Sequence, residues 1–352
     1  MLAPNDDLAT EFLASITDGY YSVNAAAIAL RQTHITPIEP PPTWLPALQK
    51  LVEDATATAE DWLAESGPDL IATLPGAFVT YESHFDAIAS GFDQLDADGA
   101  TTQLTALQAA AQRAADMVAT HEDAARKASD ALAASRAAVE TAIKDATTTL
   151  DAERAAAEKV MTAIATLEAE VADAASTVKE DPKESAMQGK EVTVAVLELA
   201  VAAEASLVSG LTLVVAVGAL IYSGIQTALE NAEIAEKLTE LRDLYVELTL
   251  DAQRIAGLQA IVSALQRVDA SLLALHDQLA MKPLWTNIAS DVQEVIGDIP
   301  VAKDFRQLPA IVGLPQAAAT WHDLSVKAKN IQNTAATVQV VNVKITPQTA
   351  AA

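Results

Sequence analysis

Hydrophobic residues recur at helical spacing along most of the chain. The spacing of apolar residues predicts a first helix over residues 5–32, which Asn5 or Asp6 can cap. One face of this helix carries Leu8, Phe12, Ile16, Tyr20, Val23 and Ala27. A second helix is predicted over 47–65 and a short third over 77–91, separated by Ser66-Gly67-Pro68 and Pro75-Gly76. Prolines 37, 40, 41, 42 and 46 predict an extended connector before the second helix.

The first long segment has neither glycine nor proline between Gly99 and Pro182. Apolar residues and alanines alternate at spacings of 3 and 4 from Leu104 to Val178, with one extra step of 4 at Val139→Ile143. This is a coiled-coil pattern, and it predicts one helix on the order of 120 Å long. His121 and Glu153 occupy positions in this seam. They are expected to be partly solvated or bonded across helices, with a pH-sensitive control of the helix register as the alternative.

A second seam runs from Ile234 to Leu279 within residues 226–281. Because only a local excursion separates the two seams, we expect the second helix to return antiparallel to the first. Further helices are predicted over 283–298 and 315–336, and the β-branched residues of 338–345 predict a strand.

The excursion between the seams is the most apolar part of the chain. Residues 192–229 contain only two charges, Glu198 and Glu204. Two arms, 192–208 and 211–225, flank Ser209-Gly210, and each is long enough for a short membrane crossing or a deep interfacial insertion. We expect a helical hairpin here, with a β-tongue as the alternative because valine and threonine also suit strands.

An apolar hairpin at the tip of a thin rod has little protein available to bury it, which favours a membrane or partner surface. A buried structural head and a resident membrane anchor remain as alternatives. The residues predicted to insert are Val194, Val196, Leu197, Leu199, Val201, Leu207, Val208, Gly210, Leu211, Leu213, Val214, Val215, Val217, Leu220, Ile221 and Tyr222.

Composition narrows the function further. The net charge of −26 disfavours nucleic-acid binding and simple electrostatic docking on an anionic membrane. The five histidines are widely separated, cysteine is missing, and no motif for catalysis, cofactor binding or metal binding is recognisable, so we expect a protein that is not an enzyme and has no cofactor. The acidic N-terminus Met1–Asp7 does not resemble a signal peptide, so secretion is expected by another route.

The order of long helix, apolar hairpin and long return helix, carried by residues 104–178, 192–225 and 234–279, resembles the cytolysin A-type α-helical pore-forming toxins. Relatives of that family include the Hbl/Nhe enterotoxin components and the Xax/Yax binary cytotoxins. The resemblance implies a secreted, soluble monomer that inserts its hairpin into a target-cell lipid membrane and self-oligomerises into a pore. It also implies a pore-lining role for an amphipathic N-terminal helix, and one or two further toxin components as partners.

The sequence therefore predicts an all-α fold, an elongated bundle of long antiparallel coiled-coil helices with a small apolar head hairpin at one end. The expected parts are N-terminal tail helices (1–95), a first long helix (96–181), a head with the hairpin (182–225), a return helix (226–282), and C-terminal helices with a short strand (283–352). The alternative function is a structural coiled-coil scaffold whose hairpin packs against a partner protein.

Overall fold

The computed structural model describes residues 2, 4–32, 45–148, 150–176, 182–190, 192–200, 212–220, 230–280, 283–299 and 313–335. The helices are α1 Asp6–Gln32, α2 Leu45–Asp61, α3 Gly67–Gly91, α4 Ala97–Ala146, α5 Asp151–Ser176, α6 Pro182–Met187, α7 Ala232–Val246, α8 Leu250–Ala280, α9 Leu284–Asp298 and α10 Leu314–Ala335. The strands are β1 Thr193–Ala200 and β2 Thr212–Leu220. The all-α class is confirmed, with this strand pair as the exception among the described residues. The predicted strand at 338–345 lies outside them.

A helical bundle forms the body of the molecule. Helix α4 packs against α8, α9 and α3, while α10 packs on α3 and α1 packs on α8. Most predicted seam residues of α4 from Leu104 to Val139, together with Leu265 to Leu279 of α8, lie in its core, whereas Ser135 is half-buried. Gly19 of α1 allows the closest approach, because a Cβ there would lie 2.6 Å from Leu275 Cδ1.

Aromatic side chains fill one part of the bundle. The Phe78 ring lies 4.8 Å from Trp285, and the Tyr81 ring lies 4.2 Å from Trp321. Trp321 Nε1 donates a 3.1 Å hydrogen bond to the carbonyl of Leu2. These contacts join α3, α9, α10 and the N-terminus, so the few aromatic residues of the chain are concentrated where several helices meet.

The predicted break between the second and third helices is wrong. A π-helical turn at Trp62–Ser66 connects α2 directly to α3, and α3 continues through Pro75 to Gly91. Pro68 is the second residue of α3, directly after the π-helical turn, so the irregular turn coincides with the N–H that proline lacks. Pro75 is tolerated because Leu74 and Phe78 beside it are fully buried, so packing offsets the lost hydrogen bond.

The predicted single helix over 96–181 is also wrong, since α4 ends at Ala146 and α5 begins at Asp151. Thr162 and Ala165 of α5 line the same cleft as Glu140 and Ile143 of α4. In one straight helix residues 140 and 162 would be about 33 Å apart. The chain therefore folds back at 147–150, which we call the first reversal.

The return helix is interrupted in the same way, by residues 247–249 between α7 and α8. Gln253 Nε2 donates to the carbonyls of Tyr245 and Leu248, each at 3.3 Å. Residues 245 and 253 of a straight helix would be about 12 Å apart, so the chain turns sharply here. We call 247–249 the second reversal. Helices α5 and α7 form a separate core with the start of α8.

The apolar excursion forms antiparallel strands, so the helical hairpin is wrong and the β-tongue alternative is correct. Val194 pairs with Ala219 and Leu199 with Leu213, with an irregularity between Ala195 and Val196. The high β-propensity of valine and threonine outweighs the helical spacing in this segment. The hairpin also does not stand at the tip of a rod, because β2 lies alongside α1 and contacts α5.

Candidate functional site

The candidate site is the β1–β2 hairpin together with the short segment that leads into it. We call residues 182–192 the hairpin base. Ser185, Ala186 and Val192 of the base are buried. Lys183 Nζ lies 3.5 Å from Asp18 Oδ2 of α1, and Asn330 Nδ2 of α10 donates a 2.9 Å hydrogen bond to the Met187 carbonyl. The base is therefore held against the bundle on two sides.

Gly189 makes the turn between α6 and β1 possible. Its φ is 74°, in the left-handed region that glycine adopts without strain. A Cβ at this position would lie 3.3 Å from Asn330 Cγ, closer than most side chains tolerate. The same asparagine that bonds Met187 thus also packs directly against the glycine of the turn.

Helix α1 forms the surface on which the hairpin rests. Every residue from Val23 to Leu30 is buried, on all sides of the helix. Both strands lie beside α1, and α8 and α2 pack against it as well. This run therefore forms part of the core while the hairpin is docked, and a departing hairpin would uncover one side of it.

The sixteen residues predicted to insert fall in three places. Val194, Val196, Leu197 and Leu199 lie on β1, and Leu213, Val214, Val215, Val217 and Leu220 lie on β2. The remaining seven, Val201, Leu207, Val208, Gly210, Leu211, Ile221 and Tyr222, lie outside the described residues. The backbone pairing brings the first two groups together in one antiparallel unit.

The first reversal has a local cause in its side chains. Thr147 is buried, its N–H bonds the carbonyl of Ile143 at 3.0 Å, and its hydroxyl bonds the same carbonyl at 2.8 Å. Residues 147–149 are three consecutive threonines, whose β-branched side chains lower helix propensity. The three threonines therefore indicate a helix end at this position, whereas the seam spacing indicates a continuous helix.

The second reversal is capped on both sides. Thr249 Oγ1 accepts a 3.2 Å hydrogen bond from the Ala252 N–H at the start of α8. Gln253 bonds the carbonyl of Tyr245 in the last turn of α7 and that of Leu248 in the reversal itself. No glycine or proline stands in 147–150 or 247–249. In both places the seam spacing of 3 and 4 continues without interruption, through Ala146, Leu150 and Glu153 and through Tyr245, Leu248 and Ala252.

His121 is the buried titratable group of the first seam. The Thr73 hydroxyl donates to the Asp69 carbonyl at 2.7 Å, so it accepts from His121 Nε2 at 2.8 Å, and the neutral imidazole carries its proton on Nε2. Burial lowers the pKa of His121, opposed by the Asp69 carboxylate 3.7 Å away. Its position fits the expectation of a seam residue bonded across helices.

Other polar contacts join the helices without forming a reactive cluster. His276 Nε2 lies 3.5 Å from Glu122 Oε1, and His322 Nδ1 lies 3.3 Å from Glu82 Oε1. Within the described part of the chain, no group of three or more histidine, aspartate or glutamate side chains is placed to hold a metal ion.

The fold matches solved structures of bacterial toxins. The cytotoxin MakB from Vibrio cholerae superimposes with a TM-score of 0.81 at 21% identity, covering 98% of this chain and 97% of that one. Soluble SmhA of the tripartite α-pore-forming toxin Smh from Serratia marcescens gives 0.76 at 16% identity, covering 96% and 95%. Soluble AhlB of the tripartite α-pore-forming toxin AHL from Aeromonas hydrophila gives 0.69 at 14% identity, covering 97% and 96%.

No protein-family model and no curated protein matches the sequence. The structural likeness extends over nearly the whole of each chain, so the fold is shared from end to end. The fold expected from the resemblance to the cytolysin A-type toxins is thereby confirmed.

Proposed function

We propose that the chain is a component of an α-pore-forming toxin, which inserts the β1–β2 hairpin into a target membrane and oligomerises there. One observation carries the proposal. A nearly uncharged strand pair is docked on the outside of a helical bundle through a small base, in a fold shared with pore-forming toxin components.

Release of the hairpin requires the two reversals to open. Each seam continues in register across its reversal, so straightening would join α4 to α5 and α7 to α8 into two long helices that bury the same apolar positions. The hairpin would then stand at the end of a long antiparallel pair, the arrangement that the sequence alone predicts.

The energy favours insertion once a membrane is present. Transfer of the sixteen inserting positions into lipid would contribute tens of kcal/mol at about 25 cal/mol per Å². The exposed Lys183–Asp18 ion pair and the Asn330–Met187 hydrogen bond at the base are each worth no more than about 1 kcal/mol. The docked state is thus retained by packing against α1 until a lipid surface offers an alternative.

The remaining properties follow from the same proposal. The chain is exported as a soluble protein, acts without catalysis, and works with one or two further toxin components, as the tripartite toxins Smh and AHL do. The membrane-inserting residues are the sixteen positions of the hairpin named above. The chain then divides into a tail (1–95), a first helix (96–181), a head (182–225), a return helix (226–282) and a C-terminal tail (283–352).

A reversible lock on the hairpin base tests the proposal. The chain has no cysteine, and a Cβ at 189 would lie 3.3 Å from Asn330 Cγ, within reach of a disulfide between G189C and N330C. We expect the oxidised double variant to remain monomeric and unbound when mixed with liposomes, and the reduced form to float with them and form large oligomers. Each single variant is the matched control.

Dye release is then measured for the reduced protein, alone and with candidate partner components. Equal membrane binding by the oxidised and reduced forms, or no binding by either, would contradict the proposal. A stable complex with a partner protein in solution, without membrane binding, would instead support the scaffold alternative.

A further inference from the structure

An open cleft lies at the first reversal. Helices α4, α5 and α8 enclose about 710 Å³, within the size range of sites for small organic molecules. Ile143, Met161, Ala165 and Val262 supply the apolar lining. The cleft is separate from the hairpin and its base, and the proposed insertion does not use it.

The charges around this cleft balance. Lys144 and Arg154 are matched by Glu140 and Glu158. Arg154 bonds Asp151, and Glu140 Oε1 lies 3.7 Å from Arg136 Nε. Because opposite charges are present in equal number, neither an anion nor a cation gains a net attraction in the cleft.

Gln259 carries a side-chain oxygen that accepts no hydrogen bond from the described residues. It lines the cleft, and its Oε1 is shielded from solvent and has no hydrogen-bond partner in the described part of the chain. Buried side-chain oxygens normally accept a hydrogen bond, so a hydroxyl that reached this oxygen would supply the partner that it lacks among the described residues.

We propose that this cleft binds an uncharged, mainly apolar molecule that carries a hydroxyl donor, such as a long-chain alcohol. The apolar body lies on Ile143, Met161 and Val262, and the hydroxyl donates to Gln259 Oε1. The walls come from both sides of the first reversal, so the bound molecule stabilises the folded-back chain over any straightened one. This last step rests on the proposed function, whereas binding itself does not.

Calorimetric titration of the full chain with 1-decanol, decyl methyl ether and decanoate tests the site. The ether lacks the donor and the carboxylate carries a charge, so we expect decanol to bind about tenfold more tightly than either. Gln259→Leu should remove the difference between alcohol and ether. Gln112→Leu, an exposed position on α4, is the matched control and should keep it.

Two further variants fill the cleft from opposite walls. Ala165→Phe and Val262→Phe should each abolish decanol binding, and circular dichroism reports whether each one folds. Equal affinity for alcohol and ether, or a tenfold preference that survives Gln259→Leu, would overturn the proposed site.

Hydrogen exchange in α5 separates binding from its consequence. We expect saturating decanol to slow exchange in α5 and to leave the far end of α4, near Asp98, unchanged. Binding without slower exchange would overturn the stabilising effect and leave the site in place. Failure of the chain to bind liposomes would overturn the proposed function and leave decanol binding untouched.

Discussion

Asn330 of α10 donates a 2.9 Å hydrogen bond to the carbonyl of Met187, the last residue of α6. Residues 187 and 330 are far apart in the chain, yet this bond fixes the hairpin base just before the left-handed Gly189. Asn330 therefore both bonds the base and packs on its turn.

Asn330→Ala should loosen the hairpin base without unfolding the bundle. The lost hydrogen bond costs about 1 kcal/mol, and hydrogen exchange in 182–200 should quicken several-fold. Mass-spectrometric exchange measures this, with Asn333→Ala, an exposed asparagine on the same helix, as the control. Unchanged exchange in 182–200 would show that the bond does not hold the base.

A charge in the hairpin should block membrane association. An aspartate at the centre of a membrane-spanning segment costs about 2.5–3.5 kcal/mol, so Val214→Asp should weaken liposome binding roughly a hundredfold. Leu273→Asp, at a position 49% exposed on α8, should bind as the unaltered chain does. Flotation assays compare them, and equal binding by both variants would exclude Val214 from the inserting surface.

Replacement of the three threonines at 147–149 by alanine should favour the straightened chain. Each substitution raises helix propensity by about 0.5 kcal/mol, which shifts the balance by about 1.5 kcal/mol in total. Small-angle scattering should then report a larger radius of gyration or a more expanded population. A variant with alanines at the exposed Thr102 and Thr105 and the half-buried Thr101, all inside α4, should show no expansion.

Acidification should weaken the bundle through His121. The pKa of His121 in the folded protein lies below the ordinary 6.5. The neutral side chain therefore contributes its full stability above pH 6.5. This contribution is lost as the pH falls through 6.5 toward the pKa of the folded state. Between about pH 7.5 and 5.5 the unfolding free energy should therefore fall.

His121→Leu should remove this part of the pH dependence. His322→Gln, at a largely exposed position beside Glu82, should keep it. Denaturant titrations at both pH values measure the difference. A pH dependence in His121→Leu equal to that of the unaltered chain would contradict the assignment.

Phe78→Ala should be strongly destabilising. The side chain is fully buried and contacts Trp285 and Trp321, so its removal costs about 3–5 kcal/mol through lost burial and the cavity left behind. Leu8→Ala, at a position 48% exposed, should change stability by less than about 0.5 kcal/mol. A loss below about 1 kcal/mol for Phe78→Ala would contradict the packing described for this core.

The amino-acid sequence by itself determined the helices and the apolar excursion between them. Seam positions such as Leu107 and Leu272 are buried as their spacing predicts, because a 3.6-residue period can bury only one stripe of a helix. The charge-free segment after Glu204 likewise follows from composition alone.

Only the tertiary structure decided where the long helices end and where the hairpin lies. The same heptad pattern fits a straight helix and a helix that folds back at 147–150, because both arrangements bury the same residues. Val139 and Val160, for example, are both buried, but in two separate cores. Contacts distant in sequence, such as Asn330 with Met187 and Lys183 with Asp18, hold the hairpin base against the bundle. A local pattern does not encode which partner covers a given apolar face.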